Sequence, residues 1–312
     1  MKGHFISCDW GTTSFRLRLV NSTDKQVLAQ IERNKGIAAV YKEWERADLP
    51  AEKRIDFFRN VLQQYLQEWT GAAIGGLPVI ISGMASSSIG IKELPYGTLP
   101  FQMIASALTT FQIEPSSTFS HEIILVSGLK TEQDVMRGEE TMLLGCETGD
   151  SEQLFIFPGT HSKHVMVKDG VAVDIKTYMS GEFFDLLANQ SILSQSVSKS
   201  DDCNFQEYFE QGVHDSIGNN LLHTVFRVRT NQLFKRLSRE QNFHYLSGLV
   251  IGAELAEIVR SKTAIHFVCG DRLLKNYQTA AAILCPGNQF RYSRADDALV
   301  NAHCLLWSFL EK

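Results

Sequence analysis

The chain lacks the marks of a membrane protein, a disulfide scaffold or a nucleic-acid binder. No apolar run among its 312 residues approaches the roughly 18 that a membrane span requires. Near the amino terminus Asp9 interrupts the apolar stretch before a signal-peptide core could form. Six cysteines (Cys8, Cys146, Cys203, Cys269, Cys285, Cys304) are scattered without a CxxC pair, and several fall in apolar contexts where a reduced, buried thiol is the ordinary state. Basic side chains do not dominate: 30 Lys and Arg stand against 35 Asp and Glu, a formal charge of -5 that argues against a broad nucleic-acid surface. No low-complexity linker separates the halves. What remains, 44% apolar and 21% charged, is the balance of a soluble globular chain long enough for two domains. It reads as a cytoplasmic enzyme.

Strand and helix patterns alternate in both halves, the signature of an α/β fold. The first half predicts strands over 4–8, 15–20 and 26–33, an amphipathic helix over 51–69, strands over 77–81 and 122–126, and a helix-like segment over 139–147. The second half predicts strands over 154–157, 163–168 and 171–178, helices near 181–190, 205–219 and 243–260, a strand over 265–269, and helices over 271–283 and 295–310. Each half opens in the same order: strand, glycine–threonine turn, strand, strand. The boundary is expected near 148–150, giving an N-terminal domain of 1–150 and a C-terminal domain of 151–312 whose last helix could pack back on the first.

The two turns carry the chemistry. Asp9-Trp10-Gly11-Thr12-Thr13-Ser14 combines a glycine that admits close backbone approach with hydroxyl donors suited to phosphate oxygens. Asp9, at a strand end, is placed to hold Mg²⁺ through water, since that ion prefers oxygen ligands and keeps its hydration. The turn is not a Walker loop, because it lacks GK[ST] and a strand follows. A plain hairpin turn remains the competing reading. The second turn, Gly159-Thr160-His161-Ser162, repeats the glycine–threonine pair in the same setting. One such loop per domain could grip a polyphosphate from two sides of a cleft, as in the acetate and sugar kinase, Hsp70 and actin superfamily.

Four strings make a resemblance specific: Asp9-Trp10-Gly11-Thr12-Thr13, Val135-Met136-Arg137-Gly138-Glu139-Glu140-Thr141, Pro158-Gly159-Thr160-His161-Ser162-Lys163 and 246–254 (LSGLVIGAE). Together they resemble the 2-dehydro-3-deoxygalactonokinase family from residue 5 to about residue 305. The resemblance implies two ribonuclease H-like (actin-like ATPase) domains, ATP and Mg²⁺ as cofactors, and phosphorylation of the C6 hydroxyl of 2-dehydro-3-deoxy-D-galactonate in galactonate catabolism. Its partners are then ATP and a small sugar acid, with neither nucleic acid nor membrane, and with room for a homodimer. In related sugar kinases the general base lies about twenty residues before the second phosphate loop. Here that is Glu139 or Glu140, which diverge by about 100° on a helix so that only one faces the site; Asp134 is the reserve. Two acids at a helix start also suit the helix dipole without any catalytic duty.

Further candidates are less specific. Arg137 could pair bidentately with a substrate carboxylate or a phosphate, or simply with a neighbouring glutamate. The loop 82–88, with Ser82, Gly83 and Ser86, stands where sugar kinases contact substrate, and Lys92 could add a cation. Gly270 and Asp271, between strand and helix, stand where this superfamily packs adenosine; Asp271 could meet a ribose hydroxyl or cap its helix. His161 is assigned to the phosphate turn, and with His164 it gives an HxxH spacing that puts the two on different strand faces, so zinc is not expected. Glu182 could cap its helix or reach the cleft, with capping the favoured reading. Relatives tend to carry glycine at a domain-crossing contact in the last helix, where this chain has Asn301. An actin-like nucleotide-binding regulator or ATPase is the alternative reading. A serine hydrolase is set aside, since 83–86 does not match GxSxG.

Overall fold

Alternation along the opening strands divides the first sheet into an apolar and a polar face. In β1 (His4–Trp10) and β2 (Phe15–Asn21), Ile6, Cys8, Trp10, Phe15, Leu17 and Leu19 point into the core. The opposite face carries Ser7 beside Arg18 and Asp9 beside Arg16. Helices α1 (Ile37–Ala47) and α2 (Arg54–Leu66) cover the apolar face with Ile37, Val40, Phe58 and Leu62. The computed structural model describes residues 3–69, 74–149, 151–200, 203–259 and 263–311.

The chain divides into two compact units, one of Met1–Thr148, Gly170–Ile175 and Ala295–Lys312, the other of Gly149–Asp169 and Lys176–Arg294. In the first unit β3 (Val27–Arg33), β4 (Val79–Gly83), β7 (Thr110–Ile113) and β8 (Ile123–Val126) complete a sheet of order β3-β2-β1-β4-β8-β7. The β1–β4 and β4–β8 pairs are parallel, and the others antiparallel. Strand β6 (Phe101–Gln102) pairs antiparallel with Val171 and Ala172. Three short strands, β5 (Gly97–Thr98), β9 (Leu129–Lys130) and β10 (Val135–Met136), form a small sheet of order β10-β9-β5. Helix α3 (Glu139–Leu144) packs on the C-terminal helix α10 (Ala295–Leu310) at a glycine contact. That glycine comes from the α3 end: a β-carbon on Gly145 would stand 1.8 Å from the Ala298 carbonyl oxygen, and Asn301 Nδ2 donates to the Gly145 carbonyl at 3.5 Å.

The second unit repeats the opening. Strand β11 (Gln153–Phe157) pairs antiparallel with β12 (Ser162–Lys168) and parallel with β14 (Ala264–Cys269), and β14 pairs parallel with β15 (Phe290–Arg294). Strand β13 (Val171–Tyr178) follows the Asp169-Gly170 turn. Around the sheet lie α4 (Ser180–Gln190), α5 (Gln206–Ser216), α6 (Leu221–Thr224), α7 (Arg227–Leu233), α8 (Arg239–Leu255) and α9 (Asp271–Leu284). Leu154, Ile156 and Phe267 from the strands bury against Phe209, Val213, Leu255 and Tyr277. The small residues of 246–254 serve helix packing. A β-carbon on Gly248 would meet the Phe209 carbonyl at 2.0 Å, so α5 and α8 touch backbone to backbone.

Several expectations are corrected. The second unit ends at Arg294 rather than at 312, the C-terminal helix grouping with the first unit as the sequence reading allowed, and residues 170–175 also group with the first unit. The helix expected over 51–69 is a 3-10 turn, Ala51–Lys53, followed by α2. The helix expected from 243 starts at Arg239, because Ser238 and Gln241 close a reciprocal capping box there; its expected end, residue 260, lies outside the described residues, as does residue 150 of the expected boundary. The sequence reading passed over α1, α6, α7, β15 and the short strands. No helix among the described residues is long and apolar enough to cross a membrane.

Candidate active site

The first turn is held from behind by the start of α1. Gly11 N–H donates to the Ser14 carbonyl at 3.0 Å and closes the bend. The N–H groups of Gly36, Ile37 and Ala38 donate to the carbonyls of Thr13, Gly11 and Thr12 at 3.0, 2.9 and 3.2 Å. The turn's carbonyls thus face the helix, while Thr12 and Thr13 keep exposed side chains. Asp9 lies beside Ser82 in the β1–β4 register, and its Oδ2 accepts from Arg16 Nη1 at 3.2 Å. Enclosure raises its pKa above the ordinary carboxylate value, with Arg16 and Arg18 pulling the other way.

At the end of β4, Gly83 takes φ 93° with its backbone against the Trp10 carbonyl, and a β-carbon on Gly138 would stand 3.3 Å from Gly83 Cα. This close approach sets the start of α3 over the β1–β4 strand ends. The two glutamates there differ sharply. Glu139 is half-buried, and its Oε2 accepts the Arg137 N–H at 3.0 Å. Glu140 is fully buried, with Oε2 accepting from Gly138 N–H at 2.7 Å and Oε1 from the Thr141 hydroxyl at 2.8 Å. Burial, with the charge of Glu139 adding to it, raises its pKa to about 7. Asp134 is not on α3; it lies in the turn before β10, tied to Thr131.

The loop after β4 departs from expectation. Ser82 and Ser86 are buried, and their hydroxyls are committed inside the fold: Ser82 to Thr141 and His303, Ser86 to the Val126 carbonyl at 2.7 Å. Neither hydroxyl is presented to a ligand, because the loop folds back under the β4 end. Arg137 Nη1 donates to the Ser86 carbonyl at 2.5 Å and to Ser86 Oγ at 2.7 Å, and the guanidinium stacks 4.1 Å from the Tyr96 ring centroid. Its Nη2 has no protein partner among the described residues. Lys92, exposed, sits over the Phe111 ring at 4.5 Å.

The second unit holds its turn in the same way. A β-carbon on Gly181 would stand 2.4 Å from the Gly159 carbonyl oxygen, and Glu182 N–H donates to the Thr160 carbonyl at 3.0 Å. The start of α4 therefore backs Gly159 and Thr160 as α1 backs Gly11 to Thr13. The Glu182 carboxylate does not cap the helix; it pairs with His161 Nε2, which fixes that exposed ring beside the turn. Ser162 is buried and donates to Glu254 Oε1 at 2.7 Å, so its hydroxyl, expected to bind phosphate, instead anchors the turn. Glu254 also accepts from His164 at 3.0 Å and from Tyr277 at 2.7 Å. Burial alone would raise its pKa, but the hydrogen bonds from His164, Ser180 and Ser162 outweigh it and hold the carboxyl below its ordinary value.

Next to this turn opens a cavity of about 630 Å³, whose walls include Gly159, Gly181, Phe243, Ser247, Arg272 and Asn276. Gly270 and Asp271 lie at the adjoining start of α9 and are not among its walls. Gly270, not Asp271, is the N-cap residue. The Asp271 carboxylate accepts from Tyr292 at 2.7 Å and faces Arg294 at 3.7 Å. Sequence reasoning missed Gly36, Gly181, Glu254 and His303; the first two carried a visible signal, a glycine at or beside a helix start.

Two strand–turn–strand units, each with a glycine–threonine turn clamped by a helix start, and a cavity beside one turn are the architecture of an α/β phosphotransferase of the kinase kind. A family model described as 2-keto-3-deoxy-galactonokinase matches residues 9–303. The 2-dehydro-3-deoxygalactonokinase of Escherichia coli (strain K12) is 30% identical over 290 residues, covering 90% of each chain. A Rhizobium meliloti (strain 1021) relative assigned the same activity is 32% identical over 276 residues, covering 86% of this chain and 84% of the relative. The crystal structure of a Sinorhizobium meliloti protein assigned that activity superposes with a TM-score of 0.80 at 30% identity, covering 97% of this chain and 96% of the other. The chain belongs to the 2-keto-3-deoxy-galactonokinase family.

Proposed function

We propose that the chain transfers the γ-phosphoryl group of ATP to the C6 hydroxyl of 2-dehydro-3-deoxy-D-galactonate, in galactonate catabolism in the cytoplasm. The observation that carries this reading, beside family membership, is the duplicated clamp: each unit holds one glycine–threonine turn rigid from behind, its threonine side chain exposed. Phosphoryl transfer depends on positioning and charge stabilisation more than on covalent help from the protein. Rigid turns supply that positioning.

In this reading Gly11, Thr12 and Thr13 hold phosphate oxygens from the first unit, and Gly159, Thr160 and His161 from the second. Adenosine occupies the cavity beside Gly159, where Phe243 offers an apolar face and Asn276 and Arg272 offer polar contacts. Among the described residues no three His, Cys, Asp or Glu side chains gather to enclose an ion. The donor set at the β1 end, one partly exposed carboxylate, therefore fits a hydrated Mg²⁺ held by Asp9 and by substrate phosphates. Such an ion would supply charge neutralisation on the phosphate oxygens.

Glu139 is the better base of the pair. A base must come within about 3 Å of the hydroxyl it deprotonates; Glu139 is partly exposed, whereas Glu140 is enclosed with both oxygens bonded. Arg137, fixed by Ser86 and Tyr96, offers Nη2 to the sugar-acid carboxylate. A coupled assay of ADP release over a panel of keto-deoxy sugar acids tests the assignment. Release should depend on 2-dehydro-3-deoxy-D-galactonate. ATP hydrolysis indifferent to every sugar acid would replace this reading with that of an actin-like ATPase.

A further inference from the structure

Beneath the α3 carboxylates runs an unbroken line of buried polar groups. Ser7 Oγ lies 2.8 Å from His303 Nδ1, His303 Nε2 lies 2.8 Å from Ser82 Oγ, Ser82 donates to Thr141 Oγ1 at 3.1 Å, and Thr141 donates to Glu140 Oε1 at 2.8 Å. Ser7, Ser82, Thr141, Glu140 and His303 are each at most 1% exposed. A hydroxyl has one proton to give. Because Thr141 gives its proton to Glu140 and Ser82 gives its proton to Thr141, Ser82 must accept from His303. The ring is therefore the Nε2–H tautomer, and Nδ1 accepts from Ser7. Every bond points toward Glu140, which is the arrangement an ionised carboxylate requires.

A protonated Glu140 must instead donate. Its Oε2 already accepts from the Gly138 N–H, so the proton belongs on Oε1, facing Thr141. Thr141 then donates to Ser82, and Ser82 to His303 Nε2, which must have lost its hydrogen. We propose that His303 is a positioning residue coupled to Glu140: uptake of one proton by Glu140 reverses all four hydrogen bonds of the chain and exchanges the Nε2–H tautomer of His303 for the Nδ1–H tautomer. The balance closes. Ser7 passes its proton to Nδ1, Nε2–H passes to Ser82, the Ser82 proton to Thr141 and the Thr141 proton to Glu140, while the one proton taken up from solvent on acidification restores the Ser7 hydroxyl. The ring never becomes a cation.

The surrounding charges agree with a change at neutrality. On its own helix Glu139 bears on Glu140, whose pKa burial and that neighbour raise to about 7. From α10 the titratable group is His303 itself, whose pKa burial, with Arg18 of β2 adding to it, pushes down to about 3. The ring thus stays neutral while Glu140 titrates. Glu140 also fixes the Gly138 N–H, one residue before the proposed base, so the switch acts on the turn that aims Glu139. Only this last consequence rests on the proposed function.

Nitrogen-15 NMR of the full chain labelled at histidine reads the tautomer directly, without substrate, with His303 assigned by the signal missing from His303→Gln. From pH 8 to pH 6 the His303 signals should exchange the Nε2–H for the Nδ1–H pattern, with a midpoint within about a unit of 7. Thr141→Val cuts the chain and should abolish the exchange, and Thr141→Ser should restore it. A single tautomer throughout, a cationic ring, or an exchange that persists in Thr141→Val overturns the proposal. Since the reading is taken on the resting protein, its failure is separate from a failure to phosphorylate sugar acids.

Discussion

Gly36 lies so close to Thr12 that a β-carbon there would stand 2.3 Å from the Thr12 carbonyl oxygen, and Gly181 stands to Gly159 at 2.4 Å in the same relation. The neighbour at each place is backbone, so an added methyl group cannot be accommodated by a side chain swinging aside. Gly36→Ala and Gly181→Ala should each displace one turn. Overpacking of this sort costs about 1–3 kcal/mol of stability, and the displaced turn should raise KM for ATP more than KM for the sugar acid. Steady-state kinetics with each substrate varied, beside thermal unfolding, checks this. Unchanged KM for ATP in both variants would remove the turns from nucleotide binding.

Asp9→Asn separates a catalytic role from a structural one. The Arg16–Asp9 pair is partly exposed at 3.2 Å, and such pairs are worth about 0–1 kcal/mol, so the fold should be little affected. Loss of the carboxylate proposed to hold the hydrated Mg²⁺, whose charge would neutralise the phosphate oxygens, should lower kcat by about 10²-fold or more. A variant that unfolds like the wild type yet turns over at the wild-type rate would defeat the assignment.

The two glutamates of α3 should respond differently. Glu139→Gln removes the proposed proton acceptor and should reduce kcat by about 10²–10⁴-fold with little change in KM. Glu140→Gln leaves the partly exposed carboxylate in place and should cost less. A reversed order of severity in single-turnover measurements would transfer the base to Glu140.

Glu140 also predicts a pH dependence of stability. Its pKa rises from an ordinary 4.5 to about 7 in the fold, so between these values the folded chain binds more protons than the unfolded one. Stability contributed here is present at acid pH and falls as pH rises through that window. Relative to the wild type, Glu140→Gln should therefore gain about 3 kcal/mol between pH 4.5 and pH 8, at about 1.4 kcal/mol per unit. Urea unfolding of both proteins at the two pH values measures the difference. A difference independent of pH would show that Glu140 titrates at its ordinary value.

The repeated opening was legible because it rests on local signals. Period-2 alternation over 15–20 and glycine–threonine pairs at 11–12 and 159–160 mark strands and turns within a few residues of chain. The family strings added the nucleotide and sugar-acid reading. Helix α1 was passed over although Ile37, Val40 and Trp44 have helical spacing, since the stretch is short and starts at a glycine. The short strands β5, β9 and β10, of two residues each, leave no periodicity to read.

Local composition and spacing marked the longer strands, most of the longer helices, the two turns and the acids near them, because propensity, turn geometry and helical angle act over a few bonds. Which hydroxyls and carboxylates stay available was decided only by tertiary packing. Ser82, Ser86 and Ser162 look alike in sequence to Thr12 and Thr13, yet the first three are buried with internal partners and the latter two are exposed. Glu139 and Glu140 are neighbours in the chain and stand apart in burial. His303 reaches Ser7 across 296 positions. Desolvation and hydrogen-bond partners depend on contacts between distant segments, and no local pattern encodes them.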